Sequence, residues 1–402
     1  MKHNFRLVKR SAGSLGNSSR GIATIVVALV IIVIILLAGI AYLAVAPAKT
    51  VTSAVTTTSV STSVATSVAT STVTSTANAT SKFGNLLLLY CADSLYNESG
   101  VLESAFTAQS GIPMATPVSA GSGALAADIS AGDPVSVFLS ISHGSVSQGD
   151  LGVNYPGWAV AFAGDQFDIA YSNATTQNSA AQAVLAAYNT ASTTNTTSAW
   201  YDFFNNLTSG AVKVGIAEPA ADPAGYRGWL SLELAGIAYD GGMANEQYFV
   251  NRMLTNQANV TGPSAAALVP ALQTGQIQFL FYYRSAIVAG GLNLIQLAEP
   301  TNLGEAIDNS FYGQANYTLP TEVESGSAIT LWITVPKDST DPTDSVSFVV
   351  FVILNYANLL KNFELTPFTP GHLYNDTDTS APAPIVALLN NGTLIEKGPV
   401  GS

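Results

Sequence analysis

"NLLLLYCADSLYNESGVLESAFTAQSG", residues 85–111, decides the fold class. Its first part, "NLLLLYCA", is a near-continuous apolar run bounded by Gly84 and Asp93, the pattern of a strand buried on both faces of a mainly parallel sheet. The rest reads as a helix with Ser94 at its start and Gly111 past its end. The alternation then repeats along the chain. Strand "MATPV", a Gly/Ser turn opening a short helix, strand "VSVFLSIS" and the paired strands "WAVAFA" and "FDIAYS" come first. They are followed by helix 179–190, strand "VKVGIA" and helices 223–239, 244–255 and 264–273. Strands "QFLFYY", "LNLIQLA" and "AITLWITV" and helix 343–362 complete the pattern. Strands alternating with helices predict an α/β fold. At 402 residues the chain exceeds one hydrophobic core, so two lobes with a cleft between them are expected.

Charge is distributed unevenly. Seven of the 14 bases precede Asp93 and none of the 26 acids does, so the remainder carries seven bases against 26 acids, a formal −19. Nucleic acid is therefore not an expected partner. The single cysteine, Cys91, excludes an internal disulfide and a Cys-based zinc site. Histidine occurs only at His3, His143 and His372, which leaves Ser94, Ser122 and Asp222 without a plausible triad partner. No phosphate-binding G-x-x-x-x-G-K-[ST] loop occurs, no cofactor is expected, and the chain reads as a binder, not an enzyme.

Residues 22–46, "IATIVVALVIIVIILLAGIAYLAVA", are uncharged over a length that spans a ~30 Å hydrocarbon layer as a helix at ~1.5 Å per residue. Residues 1–21 are basic and acid-free, which places the N-terminus in the cytoplasm and everything past Pro47 outside. Residues 47–82 are a Thr/Ser/Val/Ala tract too poor in large apolar groups to form a core, and read as a stalk. N-x-S/T sequons from Asn78 to Asn391 suit an exported glycoprotein, though so Asn/Thr-rich a chain produces several by chance. The leader "SSRGIATIVV" resembles that of archaeal type IV pilin-like proteins, in which cleavage would fall after Gly21. A plain uncleaved anchor is the alternative.

Three turns share one design, a buried strand followed by Ser or Asp at the mouth of a helix: "CADSLY" around Ser94, "SAGSGAL" around Ser122 and "EPAADPAGY" around Asp222. Ligands in open α/β sheets bind beyond the carboxyl ends of strands, where helix N-termini present free N–H donors. Capping is the competing reading for each residue, with Pro223 suited to a first helical position.

These turns, together with "WAVAFAGDQFDIAYS", "DPAGYR" and "FYYRSAIVAGGLNLIQL", resemble the archaeal tungstate/molybdate solute-binding proteins of ABC transporters, from about Asn85 to Tyr317. The resemblance implies a two-lobed clamp of the periplasmic-binding-protein type II, with lobe I formed by 83–162 and 286–402 and lobe II by 163–285. It implies a tetrahedral oxyanion, tungstate or molybdate, held by hydroxyls of Ser94, Ser122 and Tyr283, with Asp222 matching a carboxylate that ligates the metal atom. Two positions depart from the pattern. Asp93 replaces the usual Gly, and Tyr282 replaces a second metal-ligating Glu. Glu218, four residues from Asp222, is the alternative second carboxylate. Asp222 would otherwise cap its own helix or pair with Arg227 or Arg284. The expected partners are an ABC permease with its ATPase, and the expected location is the cell membrane, single-pass, with the binding domain outside. Binding of sulfate, phosphate or a small carboxylate is one alternative. A pilin-like filament or surface-layer role is another.

Overall fold

The computed structural model describes residues 86–305, 309–320 and 322–400. The basic leader, the apolar segment 22–46 and the whole Thr/Ser-rich tract 47–82 lie outside the described residues.

Among the described residues, fourteen strands form two large mixed sheets and one small hairpin. The first sheet contains β1 (Leu89–Ala92), β2 (Val118–Ala120), β3 (Val137–Ser140), β4 (Trp158–Gly164), β12 (Thr330–Thr334), β13 (Thr366–Asn375) and β14 (Leu394–Gly398), in the order β14-β13-β4-β12-β3-β1-β2. The second contains β5 (Phe167–Tyr171), β6 (Val214–Ala217), β7 (Asn259–Gly262), β8 (Phe279–Tyr283) and β9 (Asn293–Ile295), in the order β7-β6-β8-β5-β9. Strands β10 (Asn316–Thr318) and β11 (Val323–Ser325) pair with each other. The main helices are α1 (Tyr96–Ser110), α2 (Ser122–Ala131), α3 (Ser179–Thr194), α4 (Thr197–Leu207), α5 (Pro223–Tyr239), α6 (Tyr248–Thr255), α7 (Ala265–Gln273), α8 (Arg284–Ala289), α9 (Pro342–Leu359) and α10 (Ala383–Asn390).

Side chains of the first sheet alternate between two cores, as a period of two requires. Leu89, Cys91, Val160 and Ile333 face one cluster, while Tyr90, Phe138, Ala161 and Trp332 face the other. Cys91 is fully buried and burial pushes its thiol up to about 12, so it behaves as a core residue. Helix α9 packs against α1 through Phe348 and Phe351, whose rings lie 5.1 and 5.4 Å from that of Phe106. It is a domain helix, and among the described residues no helix is long and apolar enough to cross a membrane.

The structure departs from the sequence reading at several places. Residues 158–163 and 167–172 do not pair: β4 ends in the first sheet and β5 begins the second, so Asp165 and Gln166 form a crossing between sheets. Strand β9, which the sequence reading grouped with the return to lobe I, pairs with β5, and the chain rejoins the first sheet only at β12. Around "MATPV" only Met114 bridges to Leu87, and the strand proper starts at Val118. Helix α4, β7 and the C-terminal elements β13, α10 and β14 were not anticipated. Pro367 and Pro370 disguise β13, because proline cannot donate to a ladder; the pairing with β4 shifts register between Pro367 and His372.

Candidate functional site

The site is built where strand ends of both sheets meet. Ser94 lies in the 3-10 turn Asp93–Leu95 between β1 and α1, and Ser122 is the first residue of α2, behind Gly121. Neither serine is a cap. The cap positions belong to Ala92, Leu95 and Gly121, and none makes a side-chain cap hydrogen bond. Asp222 does cap: its Oδ1 accepts from the Ala224 N–H at 2.9 Å, and its Oδ2 accepts from the Ala265 N–H at 2.8 Å, the start of α7. One carboxylate therefore closes the N-termini of α5 and α7, with Pro223 at the first position of α5. Neither arginine pairs with it. Arg284 instead donates from Nε to Asp168 Oδ2 at 2.6 Å, the ion pair seen among the described residues.

Asp222 also marks the seam between lobes. A Cβ on Gly121 would lie 2.2 Å from the Ala221 carbonyl oxygen and 2.7 Å from Asp222 Cα, and the Ala124 N–H donates to Ala221 O at 3.1 Å. The α2 mouth of one lobe is thus seated on the α5 mouth of the other, the arrangement of a closed clamp. Ser122 and Asp222 are chain neighbours of the Gly121–Ala221 approach, Tyr283 feels the charge of Asp222, and Ser94, Ser122, Asp222 and Tyr283 are 2, 1, 2 and 1% exposed. Glu218 is exposed, and only its backbone oxygen serves the turn, accepting from the Ala221 and Asp222 N–H groups. Among the described residues no group of three or more His, Cys, Asp or Glu suits a metal ion.

The hydrogen-bond state of the three hydroxyls decides what they offer. Ser94 Oγ is buried without a partner. Ser122 Oγ accepts from the Ile141 N–H at 3.2 Å, and Tyr283 Oη accepts from Arg227 Nη1 at 2.6 Å. Each hydroxyl keeps its own proton for something else. Tyr283 and Tyr282 are both pushed well above the ordinary phenol range, chiefly by burial, and so stay neutral donors. Asp93, Asp222 and Glu98 add to the shift of Tyr282, so this phenol faces carboxyls at the position where the resemblance implies a Glu.

Two acids sit beside these donors. Burial, then the charge of Asp93, push Asp222 up to about 7 against the pull of its two backbone donors. Asp93 is raised by burial, with Ser264 and the Ser94 and Ala266 N–H groups acting in the opposite direction, and its Oδ2 has no hydrogen bond. Losing Asp222 should therefore be felt twice. Asp222→Ala is expected to lower stability by ~1–3 kcal/mol, two lost caps, and Asp222→Asn, which keeps one acceptor oxygen, by less. Identical melting curves for all three proteins would show that neither cap matters.

Sequence reasoning missed Arg227 as a site residue. Arg227 is 6% exposed, and its guanidinium lies 5.5 Å from the ring centres of both Tyr226 and Tyr283. The available signal was a Tyr-Arg pair one turn inside a helix whose cap faces the cleft. A cavity of about 560 Å³ continues outward from the seam, lined by Gly123, Ser142, Asp150, Tyr226, Glu322 and Glu324. None of the four anticipated residues lines it, but Gly123 and Tyr226 are the chain neighbours of Ser122 and Arg227. His143 packs its ring 4.9 Å from that of Trp332, within the aromatic layer of the first sheet.

Two mixed sheets, linked by the crossing at Asp165 and Gln166, meet along a buried polar seam. The chain belongs to the bacterial extracellular solute-binding protein family, whose pattern matches residues 87–354. It is 32% identical to a solute-binding protein of Sulfurisphaera tokodaii over 315 residues, covering 77% of this chain and 82% of the relative. A solute-binding protein of Saccharolobus solfataricus is 34% identical over 285 residues, 69% of each chain. The molybdate/tungstate-binding protein WtpA of Thermococcus kodakarensis is 25% identical over 171 residues, 38% of this chain and 48% of the relative. Among solved structures, the periplasmic molybdate-binding protein of Azotobacter vinelandii aligns over 70% of this chain and 98% of its own, with a TM-score of 0.45 and 15% identity.

Proposed function

We propose that this solute-binding protein captures a tetrahedral oxyanion, tungstate or molybdate, outside the cell and delivers it to an ABC permease and its ATPase. Residues 22–46 would hold it in the membrane, with 47–82 as the stalk. The observation that carries the reading is the trio of buried hydroxyls, Ser94, Ser122 and Tyr283, whose protons the protein does not use. A fully deprotonated oxyanion accepts hydrogen bonds and donates none, so unspent donors suit it. The relative named for molybdate and tungstate supports the choice of anion. With both oxygens of Asp222 engaged by backbone N–H groups, the anion in this reading stays tetrahedral and Asp222 positions the helix mouths around it.

The size of the adjoining cavity favours a second reading, an oxyanion bearing a small organic group that lies against Tyr226 and Ser142. Competition calorimetry with tungstate, molybdate, sulfate, phosphate and small organic phosphates separates the two. For the oxyanion site itself, Ser94→Ala, Ser122→Ala and Tyr283→Phe should each weaken tungstate binding by ~1–3 kcal/mol, the cost of a lost hydrogen bond to a charged group. Unchanged affinity in all three variants would remove the reading.

A further inference from the structure

Arg227 is the anomaly of the seam. It is a buried cation that makes no ion pair among the described residues, although removing a guanidinium from water without a counter-charge is costly. Burial works against its charge, while Tyr226, Tyr283 and Glu324 work for it, and a guanidinium stays protonated in any case. Its contacts are two aromatic faces and one hydroxyl oxygen. The surrounding charged and titratable groups are Asp222 at the cap of its own helix, Glu324 on β11, and Tyr226 and Tyr283; both carboxyls feel its charge, but neither forms an ion pair with it.

The Arg227–Tyr283 contact also fixes a proton. Arginine only donates, so at 2.6 Å the phenol oxygen must accept. The one phenol proton is then directed away from Arg227. Resting on the proposed oxyanion reading of Ser94, Ser122 and Tyr283, we propose that Arg227 is the positioning residue that orients the Tyr283 hydroxyl and the counter-charge that makes the site prefer tetrahedral ions of charge −2 over those of charge −1.

Tungstate and perrhenate test this, because they share shape and oxygen number and differ by one unit of charge. Both are titrated calorimetrically into the full-length chain in detergent near neutral pH. The wild-type protein should bind tungstate at least tenfold more tightly than perrhenate. Arg227→Gln should erase most of that ratio, weakening tungstate by more than tenfold beyond any loss for perrhenate. Arg227→Lys, which restores the charge without the planar donor fork, should recover the ratio. Tyr283→Phe should weaken both anions alike and leave the ratio intact, since the cation remains. Equal weakening of both anions in Arg227→Gln, or collapse of the ratio in Tyr283→Phe, would overturn the role of Arg227 while leaving the oxyanion site standing. If Arg227→Gln does not fold, the Tyr283→Phe and Arg227→Lys ratios decide. Absence of any binding of tungstate, perrhenate, sulfate or phosphate to the wild-type protein would remove the oxyanion reading itself.

Discussion

Gly121→Ala is expected to leave both lobes folded and to abolish most of the stabilisation that tungstate confers. Gly121 has φ −58° and ψ 142°, a backbone conformation alanine adopts freely, so the substitution adds no local strain. The added methyl would instead meet the opposing lobe, 2.2 Å from Ala221 O and 2.7 Å from Asp222 Cα and Cβ. These are mainly backbone atoms, pinned by the cap bonds of Asp222, and cannot rotate aside. Relief requires the lobes to part by roughly 1 Å, with loss of the Ala124–Ala221 hydrogen bond. Overpacking costs ~1–3 kcal/mol where surroundings relax, so affinity should fall about ten- to a hundredfold. Thermal melting with and without tungstate measures it: the unliganded variant should melt with the wild type, and the ligand-induced shift should shrink. A variant stabilised by tungstate as strongly as the wild type would show that Gly121 does not meet the second lobe when ligand is bound.

Glu98→Gln is expected to make the protein more stable in neutral and alkaline solution and to change nothing in acid. Glu98 lies on α1, one turn beyond Ser94, 1% exposed, with both carboxyl oxygens lacking hydrogen bonds. Burial first, and then the charge of Asp165 in the crossing segment, push its carboxyl from 4.5 up to about 8. A folded-state value above the unfolded one means that stability is fully present below pH 4.5 and is lost as the pH rises through about 8. Glutamine keeps the shape and removes the titration. At pH 8 the gain should be on the order of 4 kcal/mol, and near pH 4 it should vanish. Melting temperatures of the two proteins across that range check it, and parallel profiles would refute it.

Local patterns were legible wherever strand, turn and helix follow one another within a few residues. The "DPAGYR" segment announces a helix start, and α5 spans Pro223–Tyr239 as its pattern requires. Ser94, Ser122, Asp222 and Tyr283 are buried at strand ends or helix starts, as the local strand-turn-helix patterns implied. What the sequence concealed is long-range. Asp222 caps α7, 43 residues further on, and no local signal reports a cap shared between two helices. The sheet membership of β9 follows from pairing with β5, not from its own composition. Arg227 gains its role only because β8 delivers Tyr283 to its guanidinium.

The pairing of β13 with β4 carries a practical corollary for anyone trimming the chain. The family match stops at 354, whereas β13 begins at Thr366 and hydrogen-bonds along β4. Cutting at the end of that match would strip a neighbour from a strand in the middle of the sheet and leave a fresh, sticky edge of unpaired amides.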